Sequence, residues 1–333
     1  MAAIDAVIAW VDGNDPIHIE KRSRYISQDG KSAHREAIRG TRFRQSGEIY
    51  YCIASILKYA PFVRTIWVVT DNQKPEYLDE FARQGICAPD RIRIVDHRDI
   101  LPDDPDVLPT FNSLVIEASL WKIPGLADQF IYFNDDFFLN RPQREEDWFR
   151  DGRPVLRSNV RRSSAVKIKT KIRRWLRRVT FRPPNTTPSF GKAQELASNI
   201  IGLVHTHWGV GHQPHPMLVS TQKHFFEGRP DIYDAQIRFR FRDLRQYLPA
   251  SLANHIEITQ NGVKPVPNEP IAYIQPRKFE PKHPAIDSIV NDSLRTGCVQ
   301  SLDEAAPEMR ALLIKVLNRK FSEYLPKQVL SAE

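Results

Sequence analysis

Residues 130–139, Phe-Ile-Tyr-Phe-Asn-Asp-Asp-Phe-Phe-Leu, are the stretch around which the rest of the chain is organised. The apolar and aromatic run that precedes the acidic pair has no helical period, which predicts a buried strand over 129–133. Three polar side chains follow at its C-terminal end, Asn134, Asp135 and Asp136. Two adjacent carboxylates are costly to bury unless a cation or hydrogen-bond donors offset their charge. The stretch therefore predicts a metal–diphosphate site, and an ordinary Asn-Asp turn is the alternative.

Strands and helices alternate up to this stretch. Apolar, β-rich runs predict strands over 4–10, 65–70, 91–95 and 129–133. Apolar residues at helical spacing predict helices between Ser46 and Pro61, over 75–84 and over 113–123. Such alternation requires crossover connections, so the sequence predicts an α/β fold with a mostly parallel sheet.

Acidic side chains follow each of the four predicted strands, at Asp12, Asp71, Asp96 and the pair 135–136. All parallel strands share one carboxyl edge, where ligands bind in open α/β sheets. The four strand ends together therefore predict a site at this edge.

The alternation fades beyond residue 150. The pattern there predicts a helix over 193–203, helical or mixed pieces over 237–248 and 252–257, and coil over 281–289. Ser301 and Glu304 have capping-box spacing and are predicted to open a final amphipathic helix.

The chain has 333 residues, of which 41% are apolar, and no run of 18 apolar residues that would span a membrane. No signal peptide is visible, and the three cysteines are odd in number and scattered, which favours a reducing cytosolic compartment. The net charge of +8 resides in one segment, the basic block of residues 157–182, which holds eleven Lys or Arg and no acidic residue. Its 167–179 part suits an amphipathic helix on an anionic membrane surface or polyanion, with a solvated basic helix as the alternative.

The acidic strand ends suit Mg²⁺ or Mn²⁺, which take one or two carboxylates and complete their shell with water and substrate phosphate. Glycine-rich phosphate loops are absent, so phosphate charge must be met by metal, arginines and helix N-termini. The candidate arginines, each of which has solvated surface charge as its alternative role, are Arg42, Arg44, Arg238, Arg240 and Arg242. Asn112 and Ser113 begin a helix, where they can cap it and also face an anion.

Four histidines lie within residues 205–215. Zinc binding is disfavoured because cysteine partners and an HExxH motif are missing. A neutral histidine held by Pro214 and Pro216 can instead accept a proton from an attacking hydroxyl, whereas packing is the alternative for any single one.

These motifs together resemble the Stealth family of capsular-polysaccharide hexose-1-phosphate transferases. The family's first block is similar to residues 4–16, IDAVIAWVDGNDP, and its second to residues 44–138, which include GEIYYCIASILKYAPFVRTIWVVTDNQKP and FIYFNDDFF. The third is similar to His212-Gln-Pro-His215-Pro and to FRFRD at 239–243. The fourth, a Cys-(x)-Asn-Asp element, departs from the family at Cys298–Glu304, which has no Asn-Asp.

The resemblance implies a Rossmann-like core similar to that of nucleotide-sugar (GT-A-like) transferases, with an irregular C-terminal part. It divides the chain into a nucleotide-sugar-binding core over 1–150, a basic insertion over 151–190, and a part over 191–333 that carries the catalytic histidine and a helix packing back on the core. It also implies a UDP-sugar donor, an oligosaccharide or polysaccharide-phosphate acceptor, Mg²⁺ or Mn²⁺, and release of UMP.

The resemblance also assigns roles to matching residues. The implied substrate-binding set is Asp12, Gly13, Asp71, Asn112, Ser113, Asn134 and Arg240. Asp135 and Asp136 are the implied metal ligands. The implied catalytic residues are Asp136, Arg44 and a base at His212 or His215. The expected location is cytoplasmic, with peripheral contact to the inner membrane through the basic block.

Two other functions compete with this one. A metal-dependent glycosyltransferase would share the donor pocket but release UDP. A binding protein for nucleic acid or another anionic polymer would use the basic block and show strongly salt-dependent binding. It would leave the acidic edge unexplained, so no nucleic-acid partner is expected.

Overall fold

A five-stranded sheet forms the centre of the protein, whose structure, a computed structural model, describes residues 2–29, 46–163, 189–275 and 284–331. Its first four strands along the chain are β1 (Ile4–Ala9), β2 (Val63–Thr70), β3 (Ile92–Asp96) and β4 (Gln129–Asn134). These four are mutually parallel, in the spatial order β4-β1-β2-β3. The predicted α/β fold with a mostly parallel sheet is therefore confirmed.

Smaller strands surround this sheet. In chain order they are β5 (Phe137–Leu139), β6 (Phe149–Arg150), β7 (Arg153–Pro154), β8 (Asn159–Arg162), β9 (Thr206–Gly209), β10 (His215–Leu218), β11 (Ala272–Ile274) and β12 (Thr296–Val299). β10 extends the central sheet antiparallel to β4. β6 pairs with β7 and β8 with β9 as two-stranded ribbons.

The helices cover both faces of the central sheet. In the first half of the chain they are α1 (Pro16–Asp29), α2 (Glu48–Tyr59), α3 (Glu80–Arg83), α4 (His97–Ile100) and α5 (Ser113–Ser119). In the second half they are α6 (Phe190–Ile200), α7 (Val219–Gly228), α8 (Pro230–Ile237), α9 (Pro249–Thr259), α10 (Pro284–Val290), α11 (Pro307–Phe321) and α12 (Lys327–Ser331).

Alternate residues of each central strand point to opposite faces and fill two apolar cores. On β1, Ile8 lies in a core shared with α2 and α11, whereas Val7 lies in a core shared with α5, α8 and α9. Both side chains are fully buried. This two-sided burial explains why the strands read as continuous apolar runs, and it fixes where the sheet's carboxyl edge lies.

A second sheet brings the C-terminal part of the chain to that edge. Its order is β11-β12-β5, and β5 begins directly after Asp136. Cys298 on β12 is paired with Phe137 on β5 and with Tyr273 on β11. The acidic pair is thus enclosed by strands that are distant in sequence.

Two predicted segments differ in the structure. The helix predicted over 75–84 is helical only at Glu80–Arg83, because the chain before it forms tight turns, in which the Leu78 and Glu80 N–H groups donate to carbonyls three positions earlier. The coil predicted over 281–289 is wrong where it is described, since α10 begins at Pro284 and buries Ile286 and Ile289 against the core.

The predicted capping box at Ser301 and Glu304 is also wrong. Ser301 has φ of +57° and its side chain makes no capping bond, so a short 3-10 turn over 302–304 follows. The final long helix, α11, begins instead at Pro307, a residue suited to a first helical position. Its predicted inner face is confirmed, with Met309, Leu313, Leu317 and Phe321 buried.

Several predictions lie outside the described residues. They concern Arg42, Arg44, the 167–179 amphipathic helix and most of the basic block. No helix in the described part of the chain is long and apolar enough to cross a membrane.

Candidate active site

The acidic pair leaves the centre of the sheet, where β4 and β1 lie side by side. The register pairs Asn134 with Ala9, so the turn at 135–136 emerges next to the chain that continues into Trp10 and Asp12. The aromatic strand before the pair is fully buried, whereas Asn134, Asp135 and Asp136 are partly exposed. The predicted strand and its polar end are therefore both present.

The acidic pair is electrostatically strained. Burial, and then the charge of Asp136, raise the pKa of Asp135 to about 7. Burial raises the pKa of Asp136 to about 7, with a contribution from the charge of Glu48. Burial and the charge of Asp135 likewise raise the pKa of Glu48 to about 7. The negative charges of Glu48, Asp135 and Asp136 thus act on one another, which disfavours ionisation of all three at once.

The two carboxylate oxygens of Asp136 have different surroundings. Oδ2 accepts a hydrogen bond from the Cys298 thiol, with a sulfur–oxygen distance of 3.4 Å. Oδ1 is buried and has no hydrogen-bond partner. A buried carboxylate oxygen without a partner is costly, so this atom is suited to a ligand that the protein itself does not supply.

Arg242 supplies positive charge close to the pair. Its Nη2 atom donates to Ser113 Oγ at the first position of α5. Its charge favours the ionised form of Asp136 and disfavours protonation of His212. The Arg242 charge thus acts on both Asp136 and His212, and a guanidinium group of this kind can bind a phosphate group.

His212 stands with its ring stacked between two aromatic rings. The centroid of Phe190 is 4.4 Å away and that of Tyr273 is 5.4 Å away, with interplanar angles of 21° and 14°. Burial and the Arg242 charge lower the pKa of His212 below its usual 6.5. A neutral imidazole held in this way can accept a proton near pH 7.

His215 has a different environment. It lies on β10 opposite Tyr132, and burial lowers its pKa to about 4. Of the two predicted bases, His212 is the more exposed residue, since His215 is buried and His212 is partly exposed.

A second polar cluster surrounds the ends of β1 and β2. The Gln73 side chain accepts from the Asp12 N–H at 2.9 Å and donates to the Asp12 carbonyl at 2.9 Å. Lys21 Nζ lies 2.8 Å from Asp71 Oδ2. Gly13 is buried in the turn after Asp12. These contacts hold Asp12 and Asp71 in place at the carboxyl ends of β1 and β2.

The remaining candidates occupy defined positions. Asn112 caps α5 through its carbonyl oxygen, as predicted, and its amide donates to Gln246 and to the Phe239 carbonyl. Asn134 Oδ1 accepts from Tyr132 at 2.7 Å. Arg240 donates to the carbonyls of Pro105 and Pro109, and its guanidinium lies 4.0 Å from the Tyr25 ring centroid.

Sequence reasoning missed several residues of this site. In the sequence, Glu48 indicated only the start of a helix. Arg242 was one of five candidate phosphate-binding arginines, and nothing ranked it above the other four. Phe190 and Tyr273 gave no sequence signal for contact with His212, because their proximity arises from packing between distant segments. The FRFRD motif is the signal that could have selected Arg242.

The predicted metal can be tested against the donors present. Among residues 2–29, 46–163, 189–275 and 284–331, no group of three or more His, Cys, Asp or Glu side chains is arranged to hold a metal ion. Mg²⁺ commonly takes one or two carboxylates and leaves its other positions to water and phosphate. Asp135 and Asp136 provide hard oxygen donors, and the unpartnered Oδ1 of Asp136 fits this need.

Fold and site define an α/β protein with paired carboxylates, an arginine and a histidine at the carboxyl edge of a mostly parallel sheet. Residues 3–30 match the family model described as Stealth protein CR1, conserved region 1. Residues 42–155 match that of Stealth protein CR2, conserved region 2. Over these two regions the chain is similar to proteins of the Stealth family.

Curated relatives match the same part of the chain. Capsular polysaccharide phosphotransferase cps12A of Actinobacillus pleuropneumoniae is 46% identical over 149 residues, which are 45% of this chain and 38% of that protein. Capsular polysaccharide phosphotransferase fcs1 of Haemophilus influenzae is 43% identical over 147 residues, 44% of this chain and 38% of that protein. Exopolysaccharide phosphotransferase cps2G of Lactiplantibacillus plantarum is 40% identical over 152 residues, 45% of this chain and 41% of that protein.

The matched residues thus span less than half the length of each of these relatives. Among solved structures, mouse xyloside xylosyltransferase 1 in its apo form aligns with 89% of this chain and 97% of that chain, at a TM-score of 0.38 and 10% identity.

Proposed function

We propose that this protein is a sugar-phosphate transferase of capsular or exopolysaccharide synthesis. The observation that carries the proposal is the convergence of the acidic pair, Arg242 and His212 at one edge of the sheet. The relatives at 40–46% identity are named capsular or exopolysaccharide phosphotransferases, which supports the same reaction class.

The proposed donor is a UDP-sugar, such as UDP-N-acetylhexosamine, bound by a GT-A-like core. The second polar cluster would line its pocket through Asp12, Gly13 and Asp71. Asn112, Ser113, Asn134 and Arg240 complete the proposed donor-binding set. The hydrogen bonds of Gln73 to the Asp12 backbone would keep this part of the pocket rigid in the absence of donor.

The proposed reaction is an in-line displacement at the β-phosphorus of the donor. The acceptor hydroxyl oxygen forms the new bond to that phosphorus, and its proton passes to the neutral ring of His212 or, less directly, His215. The bond between the β-phosphorus and the bridging oxygen breaks, so UMP leaves and a phosphodiester links the sugars. Arg242, held by Ser113, neutralises charge on the transferred phosphoryl group.

Asp135 and Asp136 would hold Mg²⁺ or Mn²⁺, which when bound neutralises diphosphate charge and stabilises the leaving phosphate. Arg44, outside the described residues, is proposed to meet phosphate charge as well. A bound cation would favour the ionised form of these carboxylates, because it would offset their mutual repulsion.

The acceptor is proposed to be an oligosaccharide or polysaccharide phosphate. A growing phosphodiester polymer is a polyanion, which gives the basic block a function in binding it or an anionic inner-membrane surface. A cytoplasmic location with peripheral membrane contact accompanies this proposal.

The test is the identity of the released nucleotide. The protein is incubated with UDP-N-acetylglucosamine or related donors, Mg²⁺ or Mn²⁺ and an oligosaccharide acceptor, with EDTA as the control. The expected result is metal-dependent UMP together with a phosphodiester product. UDP with a glycosidic product would overturn the proposal and assign a glycosyltransferase, in which the acceptor attacks the sugar C1 atom.

A further inference from the structure

The Cys298 thiol is the one side chain seen to hold Asp136 in the described part of the chain. Its sulfur lies 3.4 Å from Asp136 Oδ2, a suitable distance for a weak S–H···O hydrogen bond. The other carboxylate oxygen, Oδ1, is buried and has no partner. The thiol contact therefore distinguishes the two oxygens and leaves Oδ1 available.

The backbone fixes this contact from the neighbouring position. The Val299 N–H donates to the Asp136 carbonyl at 3.1 Å, and the antiparallel register pairs Cys298 with Phe137. The β12–β5 pairing is also tightly packed. A Cβ atom added at Gly297 would lie 2.1 Å from the Phe138 ring, so a larger residue there would force the strands apart.

The other buried thiol near the acidic pair makes a different contact. Cys52 Sγ points to the main-chain carbonyl of Asn134 at 3.8 Å and touches no carboxylate oxygen within hydrogen-bond distance. Cys298 is thus the cysteine whose chemistry acts on the Asp136 side chain.

We propose that Cys298 is a positioning residue, whose thiol holds Asp136 Oδ2 and thereby directs Oδ1 toward the divalent cation. The inference rests on the proposed function, since it assigns a purpose to the unpartnered oxygen within that site. A weak thiol donor suits this role because it orients the carboxylate while withdrawing little charge from it. Outer partners of metal ligands commonly change metal affinity by about 10–100-fold when they are removed.

The experiment measures Mn²⁺ binding by electron paramagnetic resonance, with and without UDP, in wild type, Cys298→Ala and Cys298→Ser. The Ser hydroxyl retains a donor at nearly the same position, whereas Ala removes it. We expect Cys298→Ala to weaken Mn²⁺ binding about tenfold and Cys298→Ser to stay within about threefold of wild type. Cys298→Val and Cys298→Thr form a second pair of nearly equal shape that differs in the hydroxyl donor.

Cys87→Ala serves as the control, because it removes a half-buried thiol that follows α3 and has no contact with the acidic pair. Melting temperatures report whether each variant folds. In the transferase assay, saturating Mn²⁺ should restore kcat in Cys298→Ala, since the defect lies in cation affinity.

The outcomes separate this inference from the proposed function. Wild type that forms UMP and binds Mn²⁺, with unaltered binding in Cys298→Ala, would overturn the role of Cys298 alone. Equal losses in the Ala and Ser variants, or in the Val and Thr variants, would assign the effect to packing and also overturn it. Wild type that neither binds Mn²⁺ nor releases UMP would overturn both proposals.

Discussion

Asp71 and Asp136 both follow parallel strands of the central sheet, yet their surroundings differ. Asp71 is ion-paired with Lys21 at 2.8 Å and keeps 11% of its side chain exposed. Asp136 has one oxygen on a thiol and one without any partner, and burial raises its pKa to about 7. The comparison teaches that carboxylates at the strand ends of one sheet are of two kinds. Some have a charged partner within the protein, and others keep an oxygen that a ligand could bind.

The largest expected effect is at the unsatisfied carboxylate. Asp136→Asn keeps the shape of the side chain but removes the negative charge offered to the cation. We expect kcat for UMP release to fall by about 10³-fold, at the upper end of effects seen when one stabilising group is removed from a reacting centre. The measurement is the steady-state rate at saturating donor and Mn²⁺.

The same kcat measurement on Asp135→Asn shows how much each carboxylate of the pair contributes to the reaction. A loss in both variants is expected if the two carboxylates act as a unit. Wild-type turnover in Asp136→Asn would contradict the division between satisfied and unsatisfied carboxylates.

The histidine is expected to give the next largest effect. His212→Ala should reduce kcat by about 10²-fold, the lower end of the range for loss of a general base. Since the pKa of His212 is lowered below the usual 6.5, the neutral form dominates at pH 7, and its protonation should reduce activity only at pH values below that usual range.

The control is His224→Ala, which changes an exposed histidine on α7. A His212→Ala variant that keeps both its rate and the acid limb of its pH profile would exclude this residue as the base and leave His215 for testing.

A substitution of Arg242 shows whether its charge or its planar shape contributes more to kcat/KM. Arg242→Lys retains one positive charge but loses the planar fork that can bind a phosphate with two hydrogen bonds. We expect kcat/KM to fall by about tenfold, because a bidentate contact is replaced by a single one. Arg238→Ala is the matched control, since Arg238 is an exposed side chain of the same segment that lies near Asp104 and Asp106.

Much of the sheet could be predicted from the sequence because its information is local. Buried strands such as β4 and β1 read as unbroken apolar runs, and the acidic residues that follow them necessarily share one edge. The Asn112 cap was readable for the same reason, since a cap is a contact within three residues.

The parts that could not be predicted depend on contacts between distant segments. β12 is four residues long, and it becomes a strand because β5 and β11 lie on either side of it. The aromatic stack on His212 joins positions 190, 212 and 273. Ser301 does not cap a helix because its backbone has a positive φ, which the Ser-x-x-Glu spacing does not reveal.

The smallest expected effects are on stability. The substitutions at Asp71 and Asp136 should change the stability of the folded protein in opposite directions. Asp71→Asn removes the ion pair with Lys21, so we expect the free energy of unfolding to fall by up to about 1 kcal/mol, as for a partly exposed pair. Its KM for the donor should rise several-fold with little change in kcat if Asp71 contributes uniform binding.

Asp136→Asn should instead stabilise the protein, and increasingly so at higher pH. The folded pKa of Asp136 is raised from 3.8 to about 7, so its favourable contribution is full below pH 4 and is lost as the pH rises through 7. Asn cannot ionise, and the melting temperature of the variant should therefore exceed that of wild type at pH 8 and approach it at pH 5. Metal-free protein in EDTA is used for both measurements, because a bound cation would offset the repulsion. The contrast would be wrong if Asp136→Asn lowered the melting temperature at pH 8 while Asp71→Asn left the free energy of unfolding unchanged. The hydrogen-bond and ion-pair partners of these carboxylates would then not determine their effects on stability.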